Sequence, residues 1–253
     1  MNLIEMVKAA GVVGAGGAGF PTHVKLNTNV EYFIVNAAEC EPLIETDKYL
    51  CRTFADRIIR TIPQIAEAIG ASKKVIALKG AYEKEIAALK VAIREQNSDV
   101  EIFELGYFYP AGDEQTLIQQ VTGRCVPERG LPSDVGCVVD NVGTVLNIAD
   151  ALEGKAVTEK YLSVVGEVEH PIQLRVPIGT PVLECVKAAH PTVSDFALIM
   201  GGPMMGKQLT EQAAMEQAVV TKTTGNILVL PKDHYLFRKA SLPMETVRKQ
   251  TKS

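Results

Sequence analysis

The stretch "GAGGAG" at residues 14–19 sets glycines at 14, 16 and 19, the spacing with which a strand–turn–helix unit wraps a dinucleotide pyrophosphate. That mechanism needs a strand running into the first glycine and a helix leaving the last. Upstream, Leu3, Ile4, Met6, Val7 and Ala10 fall at helical spacing, and downstream Phe20 and Pro21 interrupt the chain. The flanks are therefore wrong for a Rossmann turn. A loop built only of glycine and alanine (Gly14, Gly16, Gly17 and Gly19 among them), followed by Lys25, instead leaves backbone N–H groups open to a flat or anionic ligand.

Three polar clusters follow apolar, strand-like runs. They are Asn36, Glu39 and Glu41 in "VNAAECEP", Tyr109, Gly112, Asp113 and Glu114 in "YPAGDE", and Asp140, Asn141 and Thr144 in "VDNVGT". If those runs are parallel strands of one sheet, the clusters share the carboxyl edge, where ligands of such sheets bind. Backbone donors and Lys25 would then hold phosphate, while the acids would accept hydrogen bonds from ribityl or ribose hydroxyls. Each residue also has a plainer reading. Glu39 and Glu41 suit a solvated turn, Asp113 and Glu114 suit a helix start, Asn141 and Thr144 suit caps, and Lys25 suits a bare surface.

No catalytic side chain and no metal site stands out. The four histidines are far apart, there is no P-loop and no G-x-S-x-G elbow, and the five cysteines are scattered without a C-x-x-C pair. Met204 and Met205 in "GGPMMG" read as packing or interface residues. The chain of 253 residues carries 26 basic and 30 acidic side chains, interspersed, for a net charge of −4, which offers nucleic acid no basic stripe. Apolar runs are too short to span a bilayer, and the first residues lack a signal-peptide pattern, so a cytoplasmic protein is expected.

The elements that must position the clusters can be read from periodicity. Strands are predicted at "EYFIVNAA", "KKVIALKG", "VEIFEL" and "DVGCVVD". Helices are predicted at "DKYLCRTFADRIIRTIPQIAEAIG", with a bend at Pro63, and at "YEKEIAALKVAIREQN", "QTLIQQVTG" and "VGTVLNIADALEG". Such alternation predicts an α/β domain with a mainly parallel sheet. After Gly154 the pattern changes to two β-rich runs around a turn, a helix "TPVLECVKAA" capped by Thr180, a strand with a glycine-rich break, and the strand "NILVL". That order predicts a small α+β module of the β-grasp kind. The expected division is 1–155, 156–232 and a charged tail, 233–253.

Taken together, "GAGGAGFPTHVKL", "VNAAECEP", "YPAGDE" and "DNVGTVLNI" resemble the flavin and NADH binding module shared by RnfC electron-transport subunits, PduS cobalamin reductases and the NADH-oxidising subunit of respiratory complex I. "GGPMMG" and "TKTTGNILVLP" bring the chain nearest the RnfC and PduS branch. The resemblance implies an atypical Rossmann-like α/β domain that binds FMN, with NADH stacked on its ring, followed by a β-grasp soluble-ligand-binding domain. Carried over by position, Gly14, Gly16, Gly17, Gly19 and Lys25 would cradle FMN. Asn36, Glu39, Tyr109, Gly112, Asp113, Asn141 and Thr144 would complete that site, and Glu41 and Glu114 would border the nicotinamide nucleotide.

The implied activity is NADH-dependent oxidoreduction: hydride from NADH to FMN, then single electrons to iron–sulfur clusters and on to cobalamin, ferredoxin or a partner reductase. Association with a membrane complex through partners, or with a bacterial microcompartment, would follow. Two [4Fe-4S] clusters are expected only in a longer form, because the family continues into a cysteine-rich segment beyond "KQTKS". Where the NADH-oxidising protein of complex I has arginine in its glycine loop and aspartate in its second motif, this chain holds Ala15 and Ala38. Those two positions motivate an alternative reading, a non-catalytic corrinoid-binding or docking subunit with a vestigial flavin pocket.

Overall fold

A computed structural model describes residues 1–240, side chains of the last two excepted. The chain forms two compact units, one of residues 1–40 and 45–159, the other of residues 41–44 with those from Lys160 onward.

The first unit contains α1 (Leu3–Ala9), α2 (Thr22–Lys25), β1 (Tyr32–Asn36), α3 (Thr46–Thr53), α4 (Ala55–Ala68), β2 (Lys73–Lys79), α5 (Glu83–Glu95), β3 (Glu101–Leu105), α6 (Glu114–Thr122), β4 (Cys137–Asn141) and α7 (Val142–Leu152). Its four strands are ordered β3-β2-β1-β4, and every pairing is parallel. β1 is central, as its uninterrupted apolar run "YFIV" requires of a strand covered on both faces. Ile34, Ala77 and Val139 meet Leu117 and Ile118 of α6, so alternation turns Phe33, Val35, Ile76 and Leu78 to the opposite face. α4 lies against β1 and β2 and packs on α5 and α7. Its Ile58, Ile59, Ile62 and Ile65 are fully buried, each contributing about 2 kcal/mol of apolar transfer energy.

The long helix expected from residue 47 is interrupted at Phe54, and Pro63, where a bend is expected, lies within α4. Phe54 leaves helical geometry (φ −123, ψ 25). A proline mid-helix removes one donor, and the four buried isoleucines around it hold the helix through that loss. α1 carries a reciprocal cap, with Glu5 N–H donating to Asn2 Oδ1 and Asn2 N–H donating to Glu5 Oε2, each at 2.9 Å.

The second unit is built on β5 (Glu159–Gly166), β6 (Ile172–Pro177), α8 (Val182–Ala188), β7 (Phe196–Met200), β8 (Lys207–Leu209), α9 (Gln212–Gln217), β9 (Asn226–Pro231) and α10 (Tyr235–Ala240). Its sheet is mixed, ordered β6-β5-β9-β7-β8, with β9 parallel to β5 and antiparallel to β7. Period-two alternation divides β9. Ile227 and Val229 join Val182, Cys185 and Val186 of α8, while Leu228 and Leu230 join Phe237 of α10. One expectation is corrected here. Thr180 does not cap α8: its hydroxyl donates to Pro177 O, and Pro181 stands at the cap position. The helix Gln212–Gln217 had no strong apolar period to announce it, since only Met215 is buried. The charged tail starts as α10, and the rest of it, 241–253, lies outside the described residues.

Candidate functional site

Parallel pairing puts Asn36 and Asn141 side by side as the last residues of β1 and β4. Four loops are tied together around that edge, all within the first unit. Ala15 N–H donates to Thr144 Oγ1 at 2.9 Å, which fastens the glycine loop to the first turn of α7. Asn36 Nδ2 donates to Gly112 O at 2.9 Å, while its Oδ1 accepts from Ala38 N–H at 3.0 Å. Lys25 Nζ donates to Val139 O at 2.6 Å and pairs with Glu114 Oε1 at 2.8 Å. The glycine loop, "NAAE", "AGDE" and "DNVGT" thus converge on the carboxyl edge of the sheet.

Within the glycine loop, Gly14 N–H closes the turn onto Phe20 O, and Ala15 N–H is taken by Thr144. Among the described residues no such partner holds the N–H groups of Gly16, Gly17 and Gly19. Gly17 has φ 125 and nothing within 4 Å of the place a Cβ would occupy, so that conformation needs glycine and leaves open space beside the backbone. Gly112 needs glycine for the opposite reason: a Cβ there would come within 2.1 Å of Ala38 O.

The plainer readings hold for part of the set. Asp113 is the N-cap of α6 and accepts from Thr116 N–H at 2.9 Å. Asn141 caps α7 through Gly143 N–H, and its Nδ2 donates to Asp47 Oδ2 at 2.7 Å. Thr144 is no cap, since its oxygen serves the glycine loop instead. Lys25 is no bare surface lysine. Tyr109 is half exposed at the rim, and the Glu39 carbonyl accepts the Tyr82 hydroxyl at 2.6 Å. Burial, with Glu39 and Glu45 beside it, pushes the Tyr82 phenol well above its ordinary value, so it remains a donor.

The Glu41 carboxylate accepts from Met204 N–H at 2.9 Å and Met205 N–H at 3.0 Å, inside the second unit. The glycines around those methionines admit it: a Cβ on Gly202 would stand 1.9 Å from Glu41 Oε2.

Sequence reasoning placed Asp140 in the third cluster without giving it a role, and overlooked Asp47 and Tyr82. Asp140 is 3% exposed, its Oδ1 lies 3.9 Å from Lys25 Nζ, and its Oδ2 has no hydrogen-bond partner. Burial raises its carboxyl to about 7, with Lys25 opposing and Glu114 reinforcing the shift. Asp47 and Tyr82 reach the site from α3 and from the start of α5, so only tertiary structure could have named them.

A parallel α/β unit whose glycine loop and acidic turns meet at one sheet edge defines a nucleotide-cofactor domain outside the Rossmann pattern. Residues 7–150 match the family model of the Nuo51 FMN-binding domain, and the chain belongs to that family. It is 46% identical over 245 residues to the cobalamin reductase PduS of Citrobacter freundii, covering 96% of this chain and 53% of that protein. It is 36% identical over 236 residues to a component of the Na(+)-translocating ferredoxin:NAD(+) oxidoreductase complex of Acetobacterium woodii, covering 90% and 52%. Among solved structures, an NAD+-reducing [NiFe]-hydrogenase in the H2-reduced state aligns with a TM-score of 0.80 at 25% identity, over 92% of this chain and 47% of that one. The chain therefore spans about half the length of the curated relatives it matches.

The site fits the cofactor of its family. Open amides at Gly16, Gly17 and Gly19 suit a phosphate, and the close approach at Gly112 leaves backbone rather than side chain at the rim. Asp140, buried beside Lys25, offers a further polar group below that rim. Among the described residues no helix is long and apolar enough to cross a membrane, and no cluster of three metal-ligating side chains occurs.

Proposed function

We propose that this chain is the flavin-bearing module of an electron-transfer oxidoreductase that takes hydride from NADH and passes single electrons to iron–sulfur clusters and a downstream acceptor. The convergence of the four loops on the ends of β1 and β4 carries this reading. Bound FMN would supply the conversion of a hydride's electron pair into single electrons. The protein's part is placement. Gly16, Gly17 and Gly19 would meet the phosphate with main-chain N–H groups, and Asn36 and Asn141 would fix the loops flanking the ring. Asp113 would hold the start of α6, Glu39 and Tyr109 would complete the FMN site, and Glu41 and Glu114 would border the nicotinamide nucleotide at the entrance used by NADH.

The acceptor is read from the relatives: cobalamin for the PduS-like case, ferredoxin or a partner reductase for the Rnf-like case. A cytoplasmic protein, joined through partners to a membrane complex or enclosed in a microcompartment, fits either. Ala15 and Ala38, both nearly fully buried, favour a second reading in which the pocket is vestigial and the chain is a corrinoid-binding or docking subunit. Titration with FMN under anaerobic conditions, followed by NADH, separates the two. The first reading expects saturable flavin binding and loss of the flavin's visible absorbance on adding NADH. A flat FMN isotherm with saturable cobalamin binding establishes the second.

A further inference from the structure

Lys25 is one cation with three acceptors of unequal burial. Val139 O fixes its ammonium at 2.6 Å, Glu114 Oε1 holds it at 2.8 Å from the rim, and Asp140 Oδ1 waits at 3.9 Å from the interior. Glu114 is 40% exposed and Asp140 is 3% exposed, with Oδ2 left without a partner. A buried carboxylate attracts a nearby ammonium far more strongly than a solvated one at the same distance, because less water screens the pair. In this structure the lysine stands on Glu114, at 2.8 Å, rather than on Asp140, at 3.9 Å.

From this geometry we infer that Asp140 is a proton-linked positioning residue: when it ionises, Lys25 swings about Val139 O from Glu114 to Asp140, and the Glu114 carboxylate is released to the rim. Charge moves by roughly an ångström at one end of the lysine, and an acid is unmasked at the other. The charged groups facing Asp140 are Lys25 of α2 and Glu114 of α6. Its register partner on β1 is Val35, and the first turn of α7 carries no acid. The groups that act on Asp140 are thus one base and one acid, and its carboxyl, raised to about 7 mainly by burial, puts the exchange within the neutral range.

This deepens the reading above, since Glu114 is there one of the acids at the nicotinamide entrance, but the exchange is a property of the ligand-free chain. It is tested by following the aspartate side-chain carboxyl carbons and the lysine ammonium nitrogens by NMR from pH 5 to pH 9, without flavin. One aspartate carboxyl is expected to titrate near neutrality, with the Lys25 signal shifting at the same midpoint, and Asp140→Asn is expected to abolish both. Glu114→Gln, on an exposed side chain, removes a negative neighbour and is expected to lower the midpoint, which keeps the test decisive even if Asp140→Asn does not fold. An Asp140 ionised throughout the range, a Lys25 signal indifferent to pH, or a midpoint unmoved by Glu114→Gln overturns the inference. Failure of FMN to bind would overturn the flavin reading and leave this one standing.

Discussion

Asn36 and Asn141 are register partners at the ends of adjacent parallel strands, and each spends its side-chain amide on a neighbouring loop. Asn36 spans Gly112 O and Ala38 N–H, while Asn141 spans Asp47 and Gly143 N–H. Asn36→Ala is expected to cost about 1–3 kcal/mol by leaving those groups without partners. Urea unfolding measures the loss, and amide exchange should quicken at residues 111–113.

Thr144→Val keeps the shape of the side chain and deletes the acceptor for Ala15 N–H, a bond buried between segments 129 residues apart. About 1–3 kcal/mol of stability should disappear. Flavin affinity, measured by fluorescence quenching, should fall with it, since the glycine loop loses its tether. An affinity equal to the parent's would show that the loop holds its shape unaided.

Gly112→Ala drives a methyl to within 2.1 Å of Ala38 O. The backbone must retreat, at a cost of about 1–3 kcal/mol. Calorimetry should show a lowered Tm, and the crystal structure of the variant should show the 110–112 loop displaced from Ala38.

Stability should depend on Asp140 in a definite direction. Its folded value, about 7, lies above the ordinary 3.8, so between those values the folded chain keeps a proton that the unfolded chain has released. The native state is therefore penalised as pH rises through that window, by up to about 4 kcal/mol once both states are ionised. Asp140→Asn removes the penalty. Relative to the parent it should gain stability at pH 8 and gain little at pH 4, by urea unfolding at both.

Glu41→Ala leaves the Met204 and Met205 amides without their acceptor, and the turn that carries these two exposed methionines should become more susceptible to limited proteolysis. Glu41→Gln keeps one acceptor oxygen and should restore part of the resistance.

Much of this molecule can be read from its residues in order. The four strands of the first unit and their helices are set by apolar runs of the right length, and parallel order alone brings Asn36 and Asn141 to one edge. What escaped has physical causes. The break at Phe54 is a φ/ψ choice that no residue type announces, while Pro63 lies inside α4 among buried isoleucines. The anchoring of Glu41 was not legible, because its amide partners lie 163 and 164 residues away, in a turn whose glycines admit the carboxylate. Asp140 was visible as a residue but not as an exception, because its burial depends on α2 and α6 closing over β4.

The short passage 41–44 belongs with the later half of the chain although it is encoded between β1 and α3. No single scission can therefore separate the halves cleanly. A fragment ending at Glu159 would carry Glu41 without the amides of Met204 and Met205, and its complement would present those amides with nothing to receive them. Dissecting this protein calls for a graft rather than a truncation.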